Sequence, residues 1–357
     1  METFAIIMAG GRGRRFWPFS REKTPKQFLR IQGDKTMLQC TVDRILPLLS
    51  GDKIFTIVSK GQGKLARRFL PGMPADNILE EPIGKDTALC VGLGAVLCRR
   101  RNPESVQIVL PADHLILNEA QFRETLSLGC RVAEQTDALV TLGIRPSRPE
   151  TGYGYIQFET AGLPPYQGTV HKVKTFAEKP NLETAVRFLQ SGDFVWNSGI
   201  FIWKVSSILR EFEQSLPEMY EGLLEIERNI GGAKFKKTLR NVYSQLKSIS
   251  VDYGIMEKAN NVVVIEGDFG WSDMGSWEEI YRMGAKDRNE NVIIGNNIAH
   301  NSKGNLIYGG KRLIATVGLE NFVIVDTNDV LLICRRDHTQ EIKEVVDGLK
   351  KSSPRHL

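Results

Sequence analysis

A glycine-rich turn behind a short apolar run carries the first chemistry in this 357-residue chain. It reads Met8-Ala9-Gly10-Gly11-Arg12-Gly13-Arg14-Arg15-Phe16-Trp17-Pro18. Glycines lack a Cβ, so backbone N–H groups can face a phosphate, and arginines in the same loop add charge and forked donors. The turn is not the dinucleotide fingerprint, because Phe16 stands where a third glycine would follow Gly11 and Gly13. It is not a Walker A loop either, since no Gly-Lys-Ser/Thr closes it. A tight turn with no ligand is the plainer alternative. Four arginines, Arg12, Arg14, Arg15 and Arg21, weigh against it, because a purely structural turn has no use for that charge beside a sheet end. Downstream, Pro25 stiffens the chain before Lys26. A positioned lysine suits a phosphoryl oxygen whose charge grows during transfer.

Two aspartates follow at loop positions. Leu110-Pro111-Ala112-Asp113-His114 ends an apolar strand, and Phe269-Gly270-Trp271-Ser272-Asp273-Met274-Gly275-Ser276-Trp277 sets a second carboxylate in a glycine-bounded loop before a helix. Mg²⁺ takes carboxylate and phosphate oxygens and keeps several waters, so two aspartates plus substrate phosphates suffice. Each aspartate taken alone reads first as a cap or turn residue. An imidazole is a poor partner for so hard a cation, so His114 reads as structural or base-contacting rather than as a ligand.

From Ala9 to Phe28 the chain resembles the signature of the sugar-1-phosphate nucleotidylyltransferases, Gly-Gly-x-Gly-x-Arg followed by Pro-Lys. Pro18-Phe19-Ser20 and Pro25-Lys26-Gln27-Phe28 resemble the mannose-1-phosphate guanylyltransferase branch. The resemblance implies that Ala9, Gly10, Gly11 and Gly13 hold the nucleoside triphosphate. It implies that Arg14 and Lys26 act catalytically on the phosphates, and that Asp113 and Asp273 hold Mg²⁺ or another divalent metal, Asp113 also lying against the nucleotide.

Four further segments resemble the family: Glu150-Thr151-Gly152-Tyr153-Gly154-Tyr155, Phe176-Ala177-Glu178-Lys179-Pro180, Trp196-Asn197-Ser198-Gly199-Ile200-Phe201 and Asp252-Tyr253-Gly254-Ile255-Met256-Glu257-Lys258. They imply a sugar site built from Gly154, Glu178, Lys179 and Asn197. Hexose hydroxyls need mixed donors and acceptors, which Glu178 and Asn197 supply, and Lys179 suits the sugar phosphate. Gly152, Gly154 and Gly199 allow close backbone approach. One segment departs from the family pattern: Glu81-Pro82-Ile83-Gly84-Lys85-Asp86-Thr87-Ala88-Leu89-Cys90 has Lys for Arg, Asp for Asn and Leu-Cys for Pro-Ala. Asp86 and Thr87 are placed with the nucleotide. Two readings of Asp86 stay open, an acceptor for guanine N1–H and its amino group, or an N-cap for the helix that follows. The resemblance runs from about Ala5 to Leu349.

The implied reaction takes GTP and mannose 1-phosphate to GDP-mannose and pyrophosphate, by in-line attack on the α-phosphorus with no covalent intermediate. The same chemistry with another base or sugar phosphate is the nearest alternative, and a non-catalytic sugar-nucleotide-binding paralogue is another. A glycosyltransferase would show an Asp-x-Asp motif, and none occurs.

These residues need a scaffold that holds them at strand ends. The first 145 residues alternate strand and helix: Phe4–Met8, 37–49, 53–59, 64–70, 77–80, 84–101, 106–110, 119–135 and 138–142. Such alternation predicts an α/β fold, a Rossmann-like, mixed but mostly parallel sheet flanked by helices, with ligands outside the carboxyl ends of the strands. Residues 151–178 turn strand-rich, 206–246 largely helical with breaks at Pro217 and Gly231-Gly232. After Asn291 short β pieces alternate with Asn-Gly-type turns, and a helix over 339–350 closes the chain. The expected division is a catalytic domain over 1–288 and a small β-rich C-terminal domain over 289–357.

Bulk properties exclude several classes. Apolar residues at 41% and charged residues at 25% are ordinary for a globular protein with a core. The net charge of +5 suits phosphate handling, but no basic stripe with interleaved aromatics marks a nucleic-acid partner. The longest basic run, Arg99-Arg100-Arg101, falls at an expected helix end, where the dipole favours cations. Five scattered cysteines point to a reducing compartment rather than a disulfide framework. The N-terminus lacks the pattern of a signal peptide, and no window nears the ~20 apolar residues of a membrane span, so a cytoplasmic protein without membrane partners is expected. The tail is short for an added isomerase domain and its histidines, His300, His338 and His356, are scattered, so a short form without isomerase activity is expected. Two roles stay open for that tail: mediating a homodimer, as the resemblance implies, or capping the sheet.

Overall fold

The computed structural model describes residues 1–357 except Arg12, Gln32 and Gln167. Contacts divide the chain into two units that interleave in sequence. The first holds Met1–Gly10, Leu38–Ala112 and Ile116–Trp271; the second holds Gly11–Met37, Asp113–Leu115 and Ser272–Leu357.

The first unit is built on a nine-stranded mixed sheet. Its order is Ile78–Glu81, Ile54–Ser59, Thr3–Ala9, Val106–Pro111, Phe194–Lys204, Leu139–Ile144, Val262–Gly267, Val170–Glu178 and Gly154–Gly162. The first four strands are mutually parallel. Ala9, Ser59, Glu81 and Pro111 therefore finish at one carboxyl edge. Phe194–Lys204 runs antiparallel to both of its flanking neighbours, Val106–Pro111 and Leu139–Ile144. Val262–Gly267 is parallel to Leu139–Ile144 and antiparallel to Val170–Glu178. The inner strands read as unbroken apolar runs because helices cover both faces.

The helix Asp86–Arg101 is buried from Ala88 to Cys98 on every side, as a helix inside a large core must be. Two glycines let it in. A Cβ on Gly92 would lie 2.5 Å from Leu223 Cδ1, and one on Gly94 would lie 2.6 Å from Ile6 Cγ1. Its basic end is paired, Arg99 Nε donating to Glu227 Oε1 at 2.7 Å. The helical stretch that follows Lys204 breaks as its sequence dictates. Pro217 opens the helix Pro217–Asn229, where its missing N–H costs nothing, and Gly231-Gly232 precede Phe235–Gln245.

The second unit is β-rich. Val292–Ile294, Leu306–Tyr308 and Phe322–Asp326 stack in parallel, and Leu331–Arg335 closes this sheet antiparallel. Asn297–His300 and Ile314–Val317 form a second parallel pair. Buried asparagines tie successive turns. Asn305 Nδ2 donates to Asn291 Oδ1 at 3.0 Å, and Asn305 Oδ1 accepts from Phe322 N–H at 2.8 Å. The signature turn is fastened to this unit through aromatics. Trp277, 1% exposed, packs on Phe16 with ring centroids 5.2 Å apart, meets Phe19 edge-on at 5.8 Å, and donates its indole N–H to Trp17 O at 3.1 Å.

Among the described residues no helix is long and apolar enough to cross a membrane. None of the five cysteines is in a disulfide.

Candidate active site

In the second unit the expected phosphate and metal residues converge on one ammonium. Lys26 opens a 3₁₀ turn behind Pro25 and is 4% exposed. Its Nζ donates to Asp113 Oδ2 at 2.9 Å and to Asp273 O at 2.6 Å, and lies 5.6 Å from the Phe16 ring centroid. Burial pushes the Asp113 carboxyl up. The Lys26 ammonium, and after it His114, more than offset this and hold it below the usual carboxylate range, so it is charged at neutral pH. Asp273 is fixed by its own turn: Oδ1 accepts from Gly275 N–H at 2.9 Å. A Cβ on Gly275 would lie 2.7 Å from Asp273 Oδ2, so only glycine leaves the carboxylate in place. Between them Met274 has φ 48°, a left-handed backbone that costs a non-glycine residue about 1 kcal/mol and concentrates at functional sites.

Gly13 sets the lysine. Its φ is +59°, and a Cβ there would fall 2.4 Å from Lys26 Cβ. Gly13→Ala is therefore expected to displace Lys26 and lower kcat by about 10²-fold, the scale on which ~1 Å of misplacement costs rate. A kcat equal to that of the unaltered protein would show that Gly13 does not position the lysine.

Arg14 does not join this cluster. Its Nη1 donates to both carboxylate oxygens of Asp347, at 2.8 and 2.9 Å, in the closing helix Ile342–Ser352. Arg21 and Trp17 hold the same end of the chain, both donating to His356 O. A Cβ on Gly11 would meet none of the described residues within 4 Å. Arg12 lies outside the described residues.

In the first unit the expected base and sugar residues form two groups. Ala9 ends its strand buried, and Gly10 O accepts from Ser59 Oγ at 2.9 Å. A Cβ on Gly10 would lie 3.3 Å from Glu81 Oε2. Glu81 is 5% exposed and bonded by the Tyr243 hydroxyl at 3.0 Å. Burial pushes its carboxyl up to about 7 despite that bond.

Asp86 is not a conventional cap. It opens its helix at φ 63°, exposed, with Oδ1 accepting from the adjacent Thr87 N–H at 2.9 Å. A cap would accept from a residue two or three places on. Ile249 O takes that role, accepting from Ala88 N–H at 3.2 Å. Thr87 Oγ1 accepts from Val251 N–H at 2.8 Å, so this hydroxyl anchors the 249–251 segment.

The sugar group draws on three strands and a turn. A Cβ on Gly154 would lie 2.5 Å from Glu178 Oε2 and 3.5 Å from Asn197 Cβ, so the missing side chain makes room for both. Lys179 has φ 48° and pairs with Glu178 Oε1. Asn197 Nδ2 donates to Asp252 Oδ1 at 2.7 Å. Asp252 heads a π-helical turn, Asp252–Met256, a form that recurs at functional sites. The sequence motif contains Asp252 without giving it a role. Sequence reasoning misses Glu81 and Asp347 too. A Glu-Pro pair closing a strand was the available signal for Glu81, and Asp347 had none.

Two family models match along the chain. The Nucleotidyl transferase family matches residues 4–290, and the MannoseP isomerase/GMP-like beta-helix domain matches residues 295–349. A mannose-1-phosphate guanylyltransferase of Salmonella muenchen is 38% identical over 357 residues, covering 98% of this chain and 73% of that protein. The xanthan biosynthesis protein XanB of Xanthomonas campestris is 38% identical over 354 residues, covering 98% and 74%. A crystal structure described as mannose-1-phosphate geranyltransferase from Thermus thermophilus is 36% identical, with a TM-score of 0.87 over 98% of this chain and 100% of that one.

Proposed function

Because the chain belongs to the nucleotidyl transferase family, we propose that it makes GDP-mannose from GTP and mannose 1-phosphate. The observation that carries the chemistry is the Lys26 ammonium held between Asp113 and Asp273. The name of the Salmonella guanylyltransferase, which matches 98% of the chain, supports the substrate pair.

A phosphate oxygen of the sugar phosphate bonds to the α-phosphorus of GTP in line with the departing bridge oxygen. The α–β bond breaks, and pyrophosphate leaves with its electron pair. No proton need move, so catalysis is positioning and charge neutralisation. Gly10, Gly11 and Gly13 offer backbone approach to the triphosphate. Lys26, already buried and aimed, offsets charge as the α-phosphorus is attacked. Arg14 exchanges the Asp347 carboxylate for phosphate oxygens. Both partners are largely exposed, so that pair holds the arginine only weakly. Asp86 and Thr87 border the base, and the group of Gly154, Glu178, Lys179 and Asn197 forms the sugar-phosphate site.

The donor set fits a hard divalent cation such as Mg²⁺: two carboxylates, with one kept ionised and the other fixed by its turn. Phosphate oxygens and water would complete the shell, since among the described residues no group of three or more His, Cys, Asp or Glu is assembled. When bound, the ion neutralises phosphate charge as a Lewis acid. Five cysteines outside any disulfide suit the reducing cytoplasm. Running the reaction backwards tests the proposal: GDP-mannose and pyrophosphate with Mg²⁺ should yield GTP and mannose 1-phosphate, read by ³¹P NMR. No GTP from an active preparation would contradict it.

A further inference from the structure

Asn197 has little left with which to bind a sugar. Its Oδ1 accepts from Gly199 N–H at 3.1 Å and from Thr141 Oγ1 at 3.4 Å, while its Nδ2 donates to Asp252 Oδ1 at 2.7 Å. Both ends of the amide are committed within the protein. Asp252 is the opposite case. Its Oδ1 takes the Asn197 bond, and Oδ2 has no partner in another described residue. The group is half-buried at the head of the π-helical turn, and that turn is held from behind by Thr87, through Val251 N–H.

We propose that Asp252 is the specificity-determining acceptor for a hydroxyl of the hexose ring, and that Asn197 is its positioning residue rather than a sugar contact. The inference rests on the substrate reading above. A sugar hydroxyl is a donor that needs a fixed acceptor, and a carboxylate oxygen is the strongest neutral-pH choice. Glu178, the neighbouring carboxylate, is already drawn to Lys179. Burial and then the Glu178 charge push the Asp252 carboxyl up to about 6, against the Asn197 bond, so Asn197 helps keep it ionised near neutrality as well as aimed.

Single-hydroxyl deletions test this. The unaltered protein is assayed with mannose 1-phosphate and its 2-, 3-, 4- and 6-deoxy forms. One deletion should raise KM for the sugar phosphate at least about tenfold, the scale of a lost bond to a charged acceptor. Asp252→Asn, nearly the same shape, should raise KM for mannose 1-phosphate similarly, leave KM for GTP unchanged, and cut the penalty for that one deletion to within about threefold. Asn197→Ala should raise the same KM but add little in the Asp252→Asn background, as coupled residues do. An Asp252→Asn protein that penalises the same deletion as strongly as the parent overturns the assignment, and additive effects of the two substitutions overturn the role of Asn197. No turnover of mannose 1-phosphate by the unaltered protein instead overturns the substrate reading, and the inference with it.

Discussion

Asp273→Asn is expected to lower kcat by about 10³-fold or more with the fold intact. The loss combines a missing metal ligand with missing charge stabilisation in the transition state, each of which reaches that scale. The substitution is clean. Asparagine keeps an oxygen to accept from Gly275 N–H, and the backbone carbonyl that receives Lys26 is untouched. The charge is lost, and one carboxylate oxygen becomes an amide nitrogen. The readout is kcat at saturating Mg²⁺, with circular dichroism to confirm the fold. Near-normal turnover by this variant, or by the parent in excess chelator, would refute the two-carboxylate metal site.

The second large effect is on stability. Glu81 titrates at about 7 in the native protein against an ordinary 4.5. A raised native value means the folded state binds the proton more tightly than the unfolded chain. Stability is therefore full below about pH 4.5, falls as pH rises through 7, and stays lower beyond. The loss at pH 8 is on the order of 3 kcal/mol, since each pH unit between the native and unfolded values is worth about 1.4 kcal/mol. Glu81→Gln still offers an oxygen to the Tyr243 hydroxyl but carries no charge. The variant should match the parent near pH 4.5 and exceed it increasingly toward pH 8, seen as a higher urea midpoint. A parent–variant difference that does not change with pH would contradict a neutral buried carboxyl beside Gly10.

Much of this molecule was legible in its sequence, and the reasons differ by element. The parallel strands announced themselves as short apolar runs bounded by turns. The helix expected over 37–49 is observed as Met37–Ile45, because Pro47 cannot continue it. The types and loop positions of Lys26, Asp113 and Asp273 were readable, but not their meeting at one ammonium, since 87 residues separate the lysine from the first aspartate and 247 from the second. The Arg14–Asp347 pair spans 333 residues and follows from the aromatic core around Trp277, which no local pattern encodes. Asn197 reads as a sugar ligand from its Asn-Ser-Gly segment and from the mixed donor and acceptor of its amide. Only the fold, bringing Asp252 and Thr141 against it, shows both ends engaged. Of the two readings open for Asp86, the cap fits its type and its place before a helix, but Ile249 O, distant in sequence, accepts from Ala88 N–H instead.

The substrate pair is the central claim, and pyrophosphate release tests it most directly. Release should be measured with GTP, ATP, UTP and dTTP, each against mannose 1-phosphate and glucose 1-phosphate. GTP with mannose 1-phosphate is expected to give the highest kcat/KM. Discrimination should be steeper among bases than between sugars, because a wrong base leaves buried polar groups unpaired whereas the two sugars differ in one hydroxyl's direction. A clear preference for UTP or dTTP, or for glucose 1-phosphate, would contradict it.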